Sequence, residues 1–579
     1  MARSNDAVAA LLQEYADLLT VTGGEQFKSR VYEKAARAVA GHPGDVAAVD
    51  ADGLRQIPGV GASIAEKIAE YLHTGHIEAV DTLRARVPGG VLELMRIPTL
   101  GPKRAAQLHE ELGVVSIDEL RDAIVAGKLS GHRGFGARTA ENILHGIEVL
   151  ERSHGRVLLS VAAVAADEIV AALRGVRGCL RCTWAGSLRR FRETVGDVDV
   201  LAAAADGGPL MDAFTRLPMV ADVLAKGSTK SSVRLRNDLQ VDLRVVPLAS
   251  WGAALQYFTG SKQHNVRVRE IAVRAGFKLS EYGLFRVEDG SLVASETEEE
   301  VYERLGLQWV PPPLREDRGE VEAARAGSLP ALVTEADIRG DLHTHTDLTD
   351  GVTPLADMVA AARRRGYEYY AVTDHAKDMP MQRMTDDKVL AQRREVRELE
   401  AAGGPVLLHG SELNIGPDGE LDWPDEFLAG FDLCVASVHS HFAQPAGDLT
   451  RRLVRACENP YVTILGHPST RLIGKRPPLD ADFDAVFAAA ARTGTALEIN
   501  SFPDRLDLSD ELILRAKRHG VRFAIDTDAH ATVHLDHLRY GIGTAQRGWL
   551  TADDVVNTWP IDRLRAFIAA KRTVAAGRR

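Results

Sequence analysis

The chain has 579 residues, of which 26% are charged and 45% hydrophobic. That length exceeds what one hydrophobic core supports and predicts roughly three to five globular units. The formal net charge of −11 argues, taken alone, against a nucleic-acid binder, and acidic residues outnumber basic ones even within residues 1–150, so any contact with DNA has to be local and made partly by backbone amides. Four cysteines exclude a disulfide framework. No run of about 18 apolar residues marks a membrane span. The opening Met1-Ala-Arg-Ser-Asn-Asp leads into an amphipathic helix rather than a signal peptide, and a cytoplasmic protein without membrane attachment is expected.

Residues 6–82 read as short helices ended by Gly or Pro. Leu54-Arg-Gln-Ile-Pro-Gly59-Val-Gly61, followed by a helix from Ala62, is a turn-then-helix unit whose glycines let backbone N–H groups approach an anion. It recurs as Leu94-Met-Arg-Ile-Pro-Thr-Leu-Gly101 before a second helix, and as Gly131-His-Arg-Gly134-Phe-Gly136 before a third. The unit resembles a helix-hairpin-helix, which grips DNA phosphates without reading bases; the second copy carries Thr99 where the pattern has its first Gly. The first unit is similar to the lyase domain of the polymerase beta branch. That likeness places Lys67 as a Schiff-base lysine for an abasic sugar, against the reading of a solvated helix lysine, and places Lys28 and Tyr32 on the phosphate-binding side. Ser63 stands where that branch has a further lysine.

Cys179-Leu-Arg-Cys182 has redox or zinc spacing but no second Cys pair or nearby His, and Cys182 alternates with Leu180 and Trp184, so burial is expected. Next comes Gly186-Ser187-Leu-Arg-Arg190, and then Asp197-Val-Asp199-Val-Leu, a strand pattern that sends both carboxylates to one face. Gln240-Val-Asp242-Leu-Arg repeats the alternation and offers a third carboxylate from a neighbouring strand. Three converging aspartates repel one another unless hard cations lie between them. The combination resembles the palm of family-X DNA polymerases in the nucleotidyltransferase superfamily. Under that resemblance Asp197, Asp199 and Asp242 hold two Mg²⁺ or Mn²⁺ ions, and Gly186, Ser187 and Arg190 meet the triphosphate.

Leu255-Gln-Tyr257-Phe258-Thr-Gly260-Ser, with Asn265 and Arg269 beyond, resembles the nucleotide-sensing segment of the same family. Tyr257 and Phe258 would lie against the incoming sugar, Asn265 would touch the minor-groove edge of the nascent pair and Arg269 the template. Lys262, His264 and Val266 depart from the polymerase beta pattern. Glu296 to Glu303 is acidic and reads as surface, and the proline-rich, charged stretch over 310–337 reads as a connector.

From residue 338 apolar runs alternate with helical patterns. Seven candidate strands, near 338–343, 368–374, 405–412, 432–438, 462–467, 495–500 and 521–528, suggest a β/α barrel. His343, His345, Asp350, His375, Glu412, His439, His467, Asp528 and His530 fall at or just beyond their C-terminal ends, where barrels assemble chemistry. Imidazole with carboxylate suits Zn, Mn or Fe, and nine such residues exceed what one ion uses. The set resembles the PHP (polymerase and histidinol phosphatase) domain. By its pattern His343, His345, Glu412 and Asp528 hold one ion, Glu412 bridges to a second with His439 and His467, and Asp350, His375 and His530 hold a third, giving up to three Mn²⁺, Zn²⁺ or Fe²⁺. Asp374 and His441 would orient ligands; Arg471 and Lys475 are either phosphate contacts or a solvated loop.

The expected fold is therefore multidomain: an α-helical helix-hairpin-helix N-terminal region, an α+β nucleotidyltransferase palm with a thumb-like subdomain, and a C-terminal distorted (β/α)7 PHP barrel. The expected boundaries are 1–82 (lyase-like), 83–156 (DNA-binding), 157–253 (palm), 254–316 (nucleotide-selecting), 317–337 (linker) and 338–579 (PHP). The order resembles bacterial family-X polymerases. That resemblance implies a monomeric, cytoplasmic, nucleoid-associated repair enzyme acting on gapped or nicked DNA and deoxynucleoside triphosphates. It implies 3′–5′ exonuclease activity and 3′-end or abasic-site processing. The alternatives are a stand-alone phosphoesterase acting on small phosphate esters and a catalytically silent DNA-end scaffold.

Overall fold

The computed structural model describes residues 4–22, 26–42, 44–95, 97, 100–129, 131–132, 134–153, 155–379 and 384–576. Helices Ser4–Val21 and Gln26–Ala40 pack as a pair because Val8, Leu12 and Ala16 recur every four residues on one face and meet Ala35 and Val39 of the other. Helix Ala62–Thr74 adds Ile64, Ala65 and Ile68 to this core, and Gly75 ends it at φ 81°. Helices Pro102–Leu112 and Ala137–Ser153 close a second helical core around Leu94, Leu108, Leu120 and Ile143.

The palm is a five-stranded mixed sheet in the spatial order Arg181–Trp184, Asp197–Ala203, Gln240–Val246, Lys230–Leu235, Val220–Lys226. Strands Asp197–Ala203 and Gln240–Val246 are parallel; Val198, Val200, Val241, Leu243 and Val245 make one face apolar, and the other carries the aspartates ahead of Leu201, Ala203 and Val246. Helices Leu159–Arg174 and Gly208–Thr215 cover one face, and helix Trp251–Thr259 packs on Leu201, Ala203 and Val246 of the other. Cys182 is buried on this sheet as expected, which pushes its thiol up to about 12.

Helix Lys262–Arg274 and three short antiparallel strands over 277–294 follow. Glu298, expected at the surface with its acidic neighbours, is instead buried. Arg189 and Arg315 surround it, and their charge outweighs burial and lowers its carboxyl to about 2. Residues 317–337 contain the helix Glu320–Ala326. Its buried Glu320 takes His264 Nδ1 at 2.6 Å and the backbone N–H of Asp317 and Arg318.

Seven parallel strands, Gly340–Asp341, Tyr369–Val372, Val406–Asn414, Leu433–Ser437, Val462–Leu465, Ala496–Asn500 and Phe523–Asp526, pair in sequence order. A bridge between Thr344 and Ala529 brings the first and last strands together, leaving a nearly closed barrel. Tyr369, Leu433 and Ala496, each opening its strand, pack with Trp559, Leu564 and Ile568. The helix Ile561–Ala576 thus plugs the N-terminal end and leaves the opposite rim for polar residues.

The barrel docks on the palm through shared apolar packing: Leu506 and Tyr540 belong to the palm core, and the Phe191 ring lies where a Cβ on Gly543 would stand. Arg471 pairs with Glu193 at 2.7 Å and Arg539 with Asp167 at 3.1 Å across the same junction.

Candidate metal centres

In the palm, parallel register sets Asp199 directly beside Asp242, and Asp197 lies two residues earlier on the same face. Burial, with the charges of Asp197 and Asp242, pushes the Asp199 carboxyl up to about 7. Burial acts the same way on Asp242, but hydrogen bonds from Lys230, Ser232 and Gln240 outweigh it and hold that carboxyl below its ordinary value. The Lys230 ammonium, 2.6 Å from Asp242, supplies positive charge at the place where the trio would accept a divalent cation. The short helix Gly186–Arg189 abuts the trio so closely that a Cβ on Gly186, at φ 60°, would enter the Asp199 carboxylate. Ser187 is half-buried in the same helix. Arg190, at its end, donates from Nη1 to the Thr259 carbonyl at 2.5 Å and from Nε to Glu316 at 3.1 Å.

The segment over residues 255–269 lies against that helix. Arg189 donates to the Thr259 hydroxyl at 2.7 Å, and Gly260 turns the chain at φ 66° between two helices. Tyr257 and Phe258 are half-buried and meet edge to face at 5.1 Å, with the Arg244 guanidinium 4.4 Å from the Phe258 centroid. Asn265 donates to the Tyr257 carbonyl at 2.7 Å and accepts from Gln256 at 2.8 Å, while Arg269 is exposed and bonds the Asn265 carbonyl.

In the helical region Gly61 and Gly101 are the N-cap residues of helices Ala62–Thr74 and Pro102–Leu112, with no side chain bonded over either end. Gly59 and Gly134 have φ of 84° and 91°, and Gly136 directly precedes helix Ala137–Ser153. Thr99 lies outside the described residues. Lys67 donates to Ser63 Oγ at 3.2 Å and lies 5.9 Å from the ring centroids of both Tyr15 and Tyr32. Tyr32 is buried and Lys28 exposed.

At the barrel rim all nine imidazole and carboxylate residues converge. Glu412 is the hub: its Oε1 takes Nε2 of His439 and of His467, each at 3.0 Å, and its Oε2 faces His375 at 2.9 Å and His343 and His345 at 3.5 Å. His343, His345 and Asp528 form one compact set, His375, Glu412 and His439 a second, and His345, Asp350, His375 and His530 a third. The third set therefore includes His345, and His375 reaches two sets. The Nε2 atoms of His343 and His345 are 3.2 Å apart, near the spacing of about 3 Å that two ligands keep around an ion bound at roughly 2.1 Å. His345 Nδ1 and Asp350 Oδ1 are buried without hydrogen-bond partners and face each other at 3.9 Å. Burial pushes Glu412, Asp350 and Asp528 toward the neutral form, yet the surrounding imidazoles outweigh it and hold all three carboxyls well below the usual range. His467 and Asp528 both have left-handed backbones, at φ 24° and 53°, where the chain turns off the strand. The donor set fits divalent cations.

The family model for the DNA polymerase beta thumb matches residues 254–316, the PHP domain model 341–502, a helix-hairpin-helix model 3–77, and a helix-hairpin-helix tandem model 91–148. The chain is 35% identical to the DNA polymerase/3′-5′ exonuclease PolX of Bacillus subtilis over 97% of its own length and 98% of that protein's. The chain belongs to the family-X DNA polymerases with a C-terminal PHP domain. Each half also has relatives of its own. Rat DNA polymerase lambda is 28% identical over 45% of this chain and 48% of its own length. A probable phosphatase of Caldanaerobacter subterraneus is 29% identical over 41% of this chain and 93% of its own.

Within this family-X chain, several supporting residues escaped the reading of the sequence. Glu498, in the middle of a barrel strand, accepts His343 Nδ1 at 2.6 Å and also the backbone N–H of His467. Asn414 accepts His439 Nδ1 at 2.7 Å, and Asn500 donates to Asp528 at 3.0 Å. Of the residues that the sequence did single out, Asp374 ties down the Asp350 loop through Thr346 and Thr349. His441 is exposed and pairs with Ser440. Arg471 spans to the palm, bonding Glu193 and the carbonyls of Arg505 and Leu506, while Lys475 is exposed beside Asp504.

Proposed function

We propose that this protein fills short gaps during base excision repair, extending a primer from deoxynucleoside triphosphates in the palm and removing nucleotides from 3′ ends at the barrel rim. The observation that carries this reading is the presence, in one chain, of two separate carboxylate-bearing centres built on unrelated sheets. Both centres depend on divalent cations, and we assign Mg²⁺ or Mn²⁺ to the palm and up to three of Mn²⁺, Zn²⁺ or Fe²⁺ to the rim.

When bound, these cations supply Lewis acidity toward the attacking hydroxyl or water and the phosphate oxygens. Asp197, Asp199 and Asp242 hold them in the palm and keep the primer 3′-hydroxyl in line with the α-phosphate. Gly186 lets the backbone approach the triphosphate, Ser187 and Arg190 bind its oxygens, and Tyr257 and Phe258 press on the sugar. Asn265 and Arg269 contact the base pair and the template. At the rim His343, His345, Asp350, His375, Glu412, His439, His467, Asp528 and His530 are the ligands, with Glu498 and Asn414 fixing imidazole orientation. Gly59, Gly61, Gly101, Gly134 and Gly136 present amides to DNA phosphates beside Lys28 and Tyr32. Lys67 would attack an abasic aldehyde as the lyase nucleophile. We place the protein in the cytoplasm at the nucleoid, acting as a monomer; no helix among the described residues is long and apolar enough to cross a membrane.

Primer extension on a one-nucleotide gap, with 3′-end degradation followed on the same DNA, tests the reading. Asp197→Ala is expected to abolish extension and spare degradation, and the His343→Ala/His345→Ala double variant to do the reverse. Equal loss of both activities in either protein would refute two independent centres.

A further inference from the structure

Where palm, thumb and barrel meet, five charged side chains form one alternating chain. Glu316 Oε1 takes Arg190 Nε at 3.1 Å and Arg547 Nη1 at 2.8 Å. Arg547 Nη1 also donates to the Arg190 carbonyl at 2.8 Å, and its Nη2 lies 2.7 Å from Asp510 Oδ2. Arg318 donates to that same Asp510 oxygen at 3.0 Å. The Arg547 side chain is 3% exposed, and those of Arg190 and Glu316 are 12% each, so every charge here needs a partner.

We propose that Arg547, a barrel residue, is a positioning residue for nucleotide binding in the palm. This inference rests on the assignment of Arg190 to the triphosphate. In the structure the Arg190 guanidinium gives Nε to Glu316 and Nη1 to the Thr259 carbonyl. A phosphate gripped by the same guanidinium competes with Glu316 for its charge, and a bidentate grip that uses Nε takes Arg190 away from Glu316. One carboxylate oxygen is shared by two guanidiniums, so when Arg190 leaves, Arg547 remains and Glu316 stays compensated. Without Arg547, the departure of Arg190 would strand a nearly buried carboxylate, and the incoming triphosphate would bear that cost. Asp510, with Arg318 behind it, keeps Arg547 in place throughout. The barrel in this way sets how readily the palm accepts its substrate, although Arg547 touches neither metal centre.

The test uses the full-length protein on gapped DNA with the deoxynucleoside triphosphate titrated, and follows 3′-end degradation in parallel. Arg547→Gln is expected to raise the nucleotide KM on the order of tenfold, with kcat within about twofold and degradation unchanged. Arg547→Lys keeps the charge and should lie near the parent protein. That variant also separates loss of charge from loss of folding. Glu316→Gln removes the competing carboxylate, so its KM should be at or below the parent value, and adding Arg547→Gln to it should change nothing more. An Arg190→Gln protein with an unaltered nucleotide KM would overturn the assignment of Arg190 itself. If Arg190→Gln raises KM but Arg547→Gln does not, or if the Arg547→Gln effect persists in the Glu316→Gln background, the coupling is wrong while the assignment of Arg190 stands.

Discussion

Replacing Glu298 with Gln gives a measurable test of the charge network under the turn at Thr259 and Gly260. Its two oxygens take Arg189 at 2.8 Å each and Arg315 at 2.7 Å, and the Trp309 indole N–H at 3.2 Å. With the carboxyl lowered from 4.5 to about 2, linkage assigns it about 3 kcal/mol of folding free energy at neutral pH. That agrees with the roughly 3–5 kcal/mol lost when one partner of a buried ion pair is removed. A lowered carboxyl stabilises fully above its unfolded value near 4.5 and loses that contribution as pH falls toward 2. The gap between the parent protein and Glu298→Gln should therefore be constant from pH 5 to 8 and shrink below about 4.5. Hydrogen exchange of amides over 251–316 is the assay, since it reads local opening, and a 3 kcal/mol loss corresponds to roughly a hundredfold faster exchange. A change below about threefold at pH 7, or a gap that grows on acidification, would refute the assigned charge balance.

Further outcomes follow for the two centres. Because the Asp199 carboxyl is raised to about 7, protons compete with cations there, so the Mn²⁺ concentration for half-maximal extension should fall as pH rises through 7 and level off above 8; a flat profile across pH 6 to 8 would contradict this. Gly186→Ala would drive a Cβ into the Asp199 carboxylate; extension should drop by about two orders of magnitude while degradation is retained, as read on a gapped primer. Glu498→Gln weakens the bond that orients His343; metal content by mass spectrometry should show roughly ten- to a hundredfold weaker retention at the rim, with extension unaffected.

The grouping of the palm carboxylates and of the rim imidazoles and carboxylates was legible for the same reason: strand periodicity fixes which side chains share a face, and Asp197, Asp199 and Asp242 obey it, as do residues that end consecutive barrel strands. The seven barrel strands were legible because apolar runs buried on both faces alternate with helices. What stayed hidden depends on partners far along the chain. Glu298 looks like one of several surface acids until Arg189, 109 residues away, arrives beside it. Glu320 lies in a stretch whose prolines and charges read as a connector, yet it is buried against His264. Glu498 is a lone acid within an apolar strand, and only closure of the barrel brings it to His343. The pairing of Arg190 with Glu316 was hidden in the same way, since a motif names a residue's destination without naming what holds it in the meantime.

Because Leu506 and Tyr540 complete the palm's hydrophobic interior and Phe191 nests over Gly543, the polymerase and nuclease halves are not beads on a string. A cut at residue 337 would leave each fragment with a raw greasy wound. Engineers who want either half alone will need to dress that surface with polar side chains first.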